Sequence, residues 1–199
     1  MASSLTEIAN SALVKLGQSS IMSIDDGSVV ANICKGRIDA VRRLVLRMHP
    51  WNCAIDRASL APLTETPAFG FSYKFVQPAN CLRILEVGPD DPAYRVEGRN
   101  ILCDSDSIEL KFIADITEYE KIDELLAEAI SCYLAWDIAY KITNSNESKG
   151  ECWRMFTISM RNAKTIDAQE ERDYSIEANL FVDSRIGGVR GRGRGQNDG

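Results

Sequence analysis

Histidine is almost missing from this 199-residue chain: His49 is the only one. That excludes a metal site built on paired imidazoles, and no C-x-x-C pair stands in for it. Also missing is a Gly-x-Ser-x-Gly elbow, and Gly70-Phe71-Ser72-Tyr73 is no equivalent. The chain has no Walker A loop, and its terminal glycines do not follow a strand as a dinucleotide fingerprint must. No apolar run approaches the roughly 20 residues of a membrane-spanning helix. The start, Met1-Ala2-Ser3-Ser4-Leu5, lacks the basic and apolar regions of a signal peptide. Folding in a cytoplasm is the expectation, with no membrane contact and no cofactor. The formal net charge of -6 speaks against a main surface that grips nucleic acid by neutralising phosphates.

Present instead is an ordinary globular composition, 45% hydrophobic and 26% charged, in a chain long enough to bury a core without disulfides. The scattered cysteines, Cys34, Cys53, Cys81, Cys103, Cys132 and Cys152, are expected to be reduced and to pack as small apolar side chains. Leu5, Ile8, Ala9, Ala12, Leu13 and Leu16 mark one helical face, with a capping box of Ser4 and Glu7 and a stop at Gly17. A second helix is expected from a cap near Asp25 and Asp26 to about Met48, where Pro50 ends it. Its other side carries Lys35, Arg37, Arg42, Arg43 and Arg47.

From 51 to 116 the period changes. Phe71-Ser72-Tyr73-Lys74-Phe75 and Ile108-Glu109-Leu110-Lys111-Phe112 alternate as half-buried strands do. Leu82 to Val87 and Tyr94-Arg95-Val96 supply shorter ones, divided by turns at Gly88-Pro89-Asp90 and Gly98-Arg99-Asn100. The spacing leaves no room for helical crossovers, so a small antiparallel meander or barrel is expected. Helical periodicity returns at Ile122, Leu125, Leu126, Ala129, Tyr133 and Trp136, in a helix apolar nearly all round and therefore central. Asn144-Ser145-Asn146 breaks it, and a last helix carries Cys152, Phe156, Met160 and Ala163 inward.

The fold class is thus α+β: a helical bundle of about four helices, 1–50 and 117–175, with an antiparallel β module, 51–116, inserted in it. A flexible C-terminal arm, 176–199, follows. Its end, 185–199, holds Arg185, Arg190, Arg192 and Arg194 among glycines, with Asp198 the one acid. Such an arm suits a partner protein ahead of nucleic acid. The acidic pairs, Asp25/Asp26, Asp90/Asp91, Asp104/Asp106, Glu118/Glu120 and Asp123/Glu124, all lie in turns or at helix starts, where carboxylates cap backbone. No catalytic residue is assigned. His49 is expected to favour a helix C-terminus rather than to transfer protons.

Several segments together resemble the tail tubular protein A, or head-to-tail adaptor, family of short-tailed bacteriophages, from about Thr6 to Arg185. Asn10-Ser11-Ala12-Leu13-Val14-Lys15-Leu16-Gly17 looks like the family's N-x-A-L-x-x-L-G start. Pro50-Trp51 with Ala54, Arg57, Ala58 and Leu60 is similar to its P-W-x-x-A-x-x-R-A-x-L segment. Pro78-Ala79-Asn80-Cys81-Leu82-Arg83 resembles P-x-D-C-L-R, and Val96-Glu97-Gly98 its V-E-G hairpin. Leu134-Ala135-Trp136-Asp137-Ile138-Ala139 is similar to the long helix, and Ala163, Asp167 and Ala168 to the last one. Gln77 and Asn80 depart from the family's leucine and aspartate, and the Arg-Gly end runs past its usual terminus.

The resemblance implies a structural virion protein without a catalytic centre, assembled in the host cytoplasm and resident in the tail. It implies a homo-oligomeric ring of about twelve copies between portal protein and tail nozzle (tail tubular protein B), with tail fibres nearby and DNA passing through the bore. Arg42, Arg43 and Arg47 are then expected to meet a neighbour's acidic surface, and the arm to dock onto the portal. Some relatives are described as degrading peptidoglycan, so a muralytic hydrolase is the rival from the enzyme class. A nucleic-acid-binding module using the Arg-Gly arm is the other.

Overall fold

Ser4 accepts a hydrogen bond from the Glu7 amide (3.2 Å) while the Glu7 carboxylate accepts from the Ser4 amide (2.7 Å), so the expected capping box opens helix α1, Leu5–Lys15. The computed structural model describes residues 4–88 and 92–170. Gly17, at φ 69, takes the left-handed turn that ends α1. Helix α2 spans Val29–Met48 and is capped by Ser28, whose hydroxyl accepts from the Ala31 amide. The cap falls after Asp25 and Asp26 because both are engaged elsewhere: Asp25 pairs with Lys35, and Asp26 accepts from the Ser28 amide. Helix α3, Glu124–Thr143, begins at Asp123, whose carboxylate accepts from the Leu125 and Leu126 amides. It ends at Asn144 in the left-handed region, φ 52, and α4, Asn146–Glu170, turns back along it.

Among the described residues six strands stand between α2 and α3. They form two three-stranded antiparallel sheets instead of a meander. In the first, β6 (Ile108–Ala114) is central, flanked by β1 (Ile55–Leu60) and β3 (Cys81–Gly88). In the second, β5 (Asn100–Cys103) lies between β2 (Tyr73–Val76) and β4 (Tyr94–Glu97). Among the described residues only β4 and β5 pair as a hairpin, turning at Gly98 with φ 62.

The sheets stack because β6 is two-faced. Ile108, Leu110, Phe112 and Ala114 join Phe75, Ile101 and Cys103 in a cluster between the sheets, while Ile113 points into the helical core. Strand β3 reaches the same end with two register shifts, between Cys81 and Arg83 and between Ile84 and Glu86. The residues at those bulges, Leu82 and Leu85, turn onto the helices, while Ile84 and Val87 stay with the sheet cluster. The order of layers is therefore helices, first sheet, second sheet. Helix α3 is buried around most of its circumference, including Leu126, Ile130, Leu134 and Ile138, which agrees with its continuous apolar sequence. No helix among the described residues is long and apolar enough to cross a membrane.

Candidate functional site

The α2 arginines separate into two kinds. Arg42 is 4% exposed and points inward: its guanidinium donates to Asp115 (2.9 and 3.2 Å), to Asp39 (2.7 Å) and to the Tyr119 hydroxyl (3.1 Å). Burial works to lower its pKa, but Tyr119 and Asp115 outweigh that and raise it. The expectation that Arg42 meets a neighbouring molecule is thus corrected. It ties α2 to the segment between β6 and α3, since its position on the helix lies beside the buried Ile38 and Val45 rather than opposite them. Arg43 and Arg47 are exposed, and Arg47 also accepts from Arg83 through its carbonyl (2.9 Å). Arg185, Arg190, Arg192 and Arg194, with the rest of the expected arm, lie outside the described residues.

The corner after α2 joins two sequence segments far apart in the chain. Trp51 is buried, with its indole N–H donating to the Val45 carbonyl (3.2 Å). Asp167 of α4 accepts from the Asn52 amide (3.0 Å) and lies 3.1 Å from Nε2 of His49, whose ring stands edge-on to Trp51. Asn52 returns a bond from its side-chain amide to the Asp167 carbonyl (2.7 Å). His49 therefore sits in a clamp between α2 and α4.

Among the remaining polar groups, the closest likeness to a catalytic set lies between α1 and α3. The amine of Lys15 is 2.6 Å from Oγ of Ser11, 3.0 Å from Oγ of Ser131 and 3.0 Å from Oε1 of Glu128. A serine–lysine pair needs a lysine free to accept the serine proton. Here the amine is spent on a carboxylate. Burial pushes the Glu128 carboxyl up, but Lys15 and Ser131 prevail and hold it below the ordinary value. The set fastens two helices.

The surface grooves are shallow in chemistry too. One of about 400 Å³ over the first sheet holds Arg57, Ser59, Glu86, Glu109 and Lys111, with Lys111 committed to Glu86 at 2.9 Å. Another, about 540 Å³, runs between α2 and α3 beside the Arg37–Asp137 pair. Among the described residues no histidine, cysteine and carboxylate cluster has a grouping fit for a metal ion. All six cysteines are free thiols, and burial raises Cys34 and Cys132 to about 11.

Sequence reasoning did not join the aromatic residues at the far end of α3. Tyr133, Trp136, Trp153 and Phe156 form a chain of ring contacts 5.0 to 5.4 Å apart, and the amine of Lys149 lies 5.1 Å from the Trp136 centroid. Trp153 and Tyr140 remain 45% and 53% exposed. The signal was the recurrence of aromatics at helical spacing on two consecutive helices, which places them at one joint. What the fold defines is a class: among the described residues, an α+β protein of four helices carrying two small antiparallel sheets. Compared with known proteins, the chain matches no family model and no curated sequence.

Proposed function

We propose that this chain is a head-to-tail adaptor of a short-tailed bacteriophage, a subunit similar to tail tubular protein A. About twelve copies form a ring between portal and tail nozzle, and DNA leaves through its bore. The observation that carries the reading is where the resembling segments fall. Pro50-Trp51 makes the corner at which the β module departs from the bundle, and it is clamped by Asp167 from the last resembling segment. Arg57, Ala58 and Leu60 lie on β1, Leu82 and Arg83 open β3, and Val96-Glu97-Gly98 makes the hairpin. The Pro50-Trp51 segment and the last one thus meet at one corner, although 115 positions separate Asn52 from Asp167 in the chain.

The charge is consistent with a conduit. An acidic wall keeps a polyanion from adhering, and the net charge of each copy is -6. A ring needs two different surfaces per subunit, and the exposed Arg43 and Arg47 offer one for a neighbour's carboxylates. Electron microscopy of the purified chain, alone and mixed with portal protein, tests the reading. Annular particles with a central hole, seated on portal, are expected. A chain that stays monomeric and ignores portal would sink it. Zymography on cell-wall material addresses the muralytic rival: clearing abolished by one carboxylate substitution would replace the structural reading with an enzymatic one.

A further inference from the structure

Helix α3 ends in two surfaces of opposite character. At its start, Glu118, Glu120, Asp123 and Glu124 stand with one base, Lys121, which pairs with Glu118 at 2.7 Å while Asp123 caps the helix, and Leu125 is 36% exposed among them. At its finish, Trp136 packs against Trp153 under the amine of Lys149, Trp153 and Tyr140 are about half exposed, and Lys141 follows Tyr140 at the edge of the groove between α2 and α3. The acids near that end are largely taken, Asp137 by Arg37 and Glu151 by Arg154, which leaves Glu147 against the two lysines. Twenty helical residues separate the two ends by roughly 30 Å.

We propose that neighbouring copies of this chain meet head to tail, the aromatic and cationic platform at the end of α3 receiving the acidic segment 118–124 of the next copy. The inference rests on the ring reading and names a further contact between neighbouring copies, besides the one at Arg43 and Arg47. Three observations select a second copy as the occupant. The two surfaces are complementary in charge, they differ from one another, and they are held apart by a rigid helix. A contact between unlike surfaces repeats around a ring instead of stopping at a dimer. Tryptophan and tyrosine dominate interface hot spots. Here Trp136 and Trp153 are already held against each other, ring centroids 5.0 Å apart, so little of their side-chain freedom is lost on association. Leu125 supplies an apolar group for the platform, and Glu120 faces Lys141 across the joint.

Charge reversal on full-length protein tests it, with particle mass read by light scattering across a concentration series. Lys141→Glu and Glu120→Lys each raise the concentration needed for assembly at least tenfold. The double variant restores it to within about threefold of the parent. The isosteric changes Lys141→Gln and Glu120→Gln give smaller shifts in the same direction, and unchanged circular dichroism shows that each variant is folded. Single variants that assemble like the parent, or a double variant that fails to recover, overturn this contact while leaving the ring reading standing. A parent that forms no ring either alone or with portal protein ends both.

Discussion

Removing the guanidinium of Arg42 leaves Asp115, itself mostly buried, without its cation, which is why this arginine matters to stability rather than to recognition. Arg42→Met is expected to cost on the order of 3 kcal/mol, measured by urea unfolding, because breaking one side of a buried pair strands the other charge. Arg42→Lys recovers only part of it, since an ammonium cannot reproduce contacts to Asp39, Asp115 and Tyr119 at once. A loss below about 0.5 kcal/mol for Arg42→Met would show the residue to be a surface charge after all. The thiols give a second residue-level prediction. Cys34 and Cys132 are buried and raised to about 11, so they stay protonated and shielded in the native state. Brief labelling with a maleimide near neutral pH, read by peptide mass mapping, should mark Cys53, which is exposed although partial desolvation also pushes its pKa up, and spare the buried Cys34 and Cys132. All six react once the chain is unfolded. Fast labelling of Cys34 or Cys132 in the folded protein would contradict the packing described here.

Between elements, the joint of α1 and α3 depends on Lys15 and Glu128, and its pH dependence has a definite sign. The folded-state pKa of Glu128 lies below its ordinary value. Its contribution is therefore complete above the unfolded carboxyl's value, about 4.3, and fades as pH falls through the lower folded-state value. Glu128→Gln should flatten the fall of melting temperature below about pH 5 and cost about 1 kcal/mol or less at neutrality, because the side chain is 46% exposed. An acid limb of unchanged steepness in the variant would assign that limb to other carboxylates. Elements also differ in how much of them the sequence discloses. The four helices are legible in the 3.6-residue apolar period, and α1 even in its cap. Strand β1 is not: Ile-Asp-Arg-Ala-Ser-Leu has no clean alternation and poor strand formers, and six register pairs with β6 hold it. The short run Ile101-Leu102-Cys103 hides β5 for another reason, since a strand buried on both faces carries no period. Pairing order was hidden as well, because β1 and β6 meet across the whole module. The inward turn of Arg42 depends on partners 73 and 77 positions away, and the aromatic platform on two helices folding back. Spacing along the chain reports local period well and such distant meetings not at all.

Over the whole molecule, charge is unevenly placed, and that yields a quantitative consequence. The chain carries -6 overall, yet the stretch 185–199 holds four arginines against one aspartate. On the adaptor reading a conduit must not retain the polymer that it passes, so the acidic body should repel duplex DNA over a range that shortens as salt rises and is about 10 Å at 0.1 M. The arginine-rich end should bind weakly at low salt. Each phosphate neutralised contributes about -0.9 to the slope of log affinity against log salt. Four arginines per chain therefore limit that slope to about -3.6 for a single arm. Full-length protein should show such shallow, low-affinity retention in a filter-binding titration, and a chain ending at 184 should show none. Two results would redirect the functional reading. A slope much steeper than about -4 would mean that the body adds phosphate contacts, which an acidic wall forbids. Equal binding by the shortened chain would locate the cations before residue 185, with the exposed Arg43 and Arg47 the first to change. Either would favour a nucleic-acid-binding module over a channel subunit.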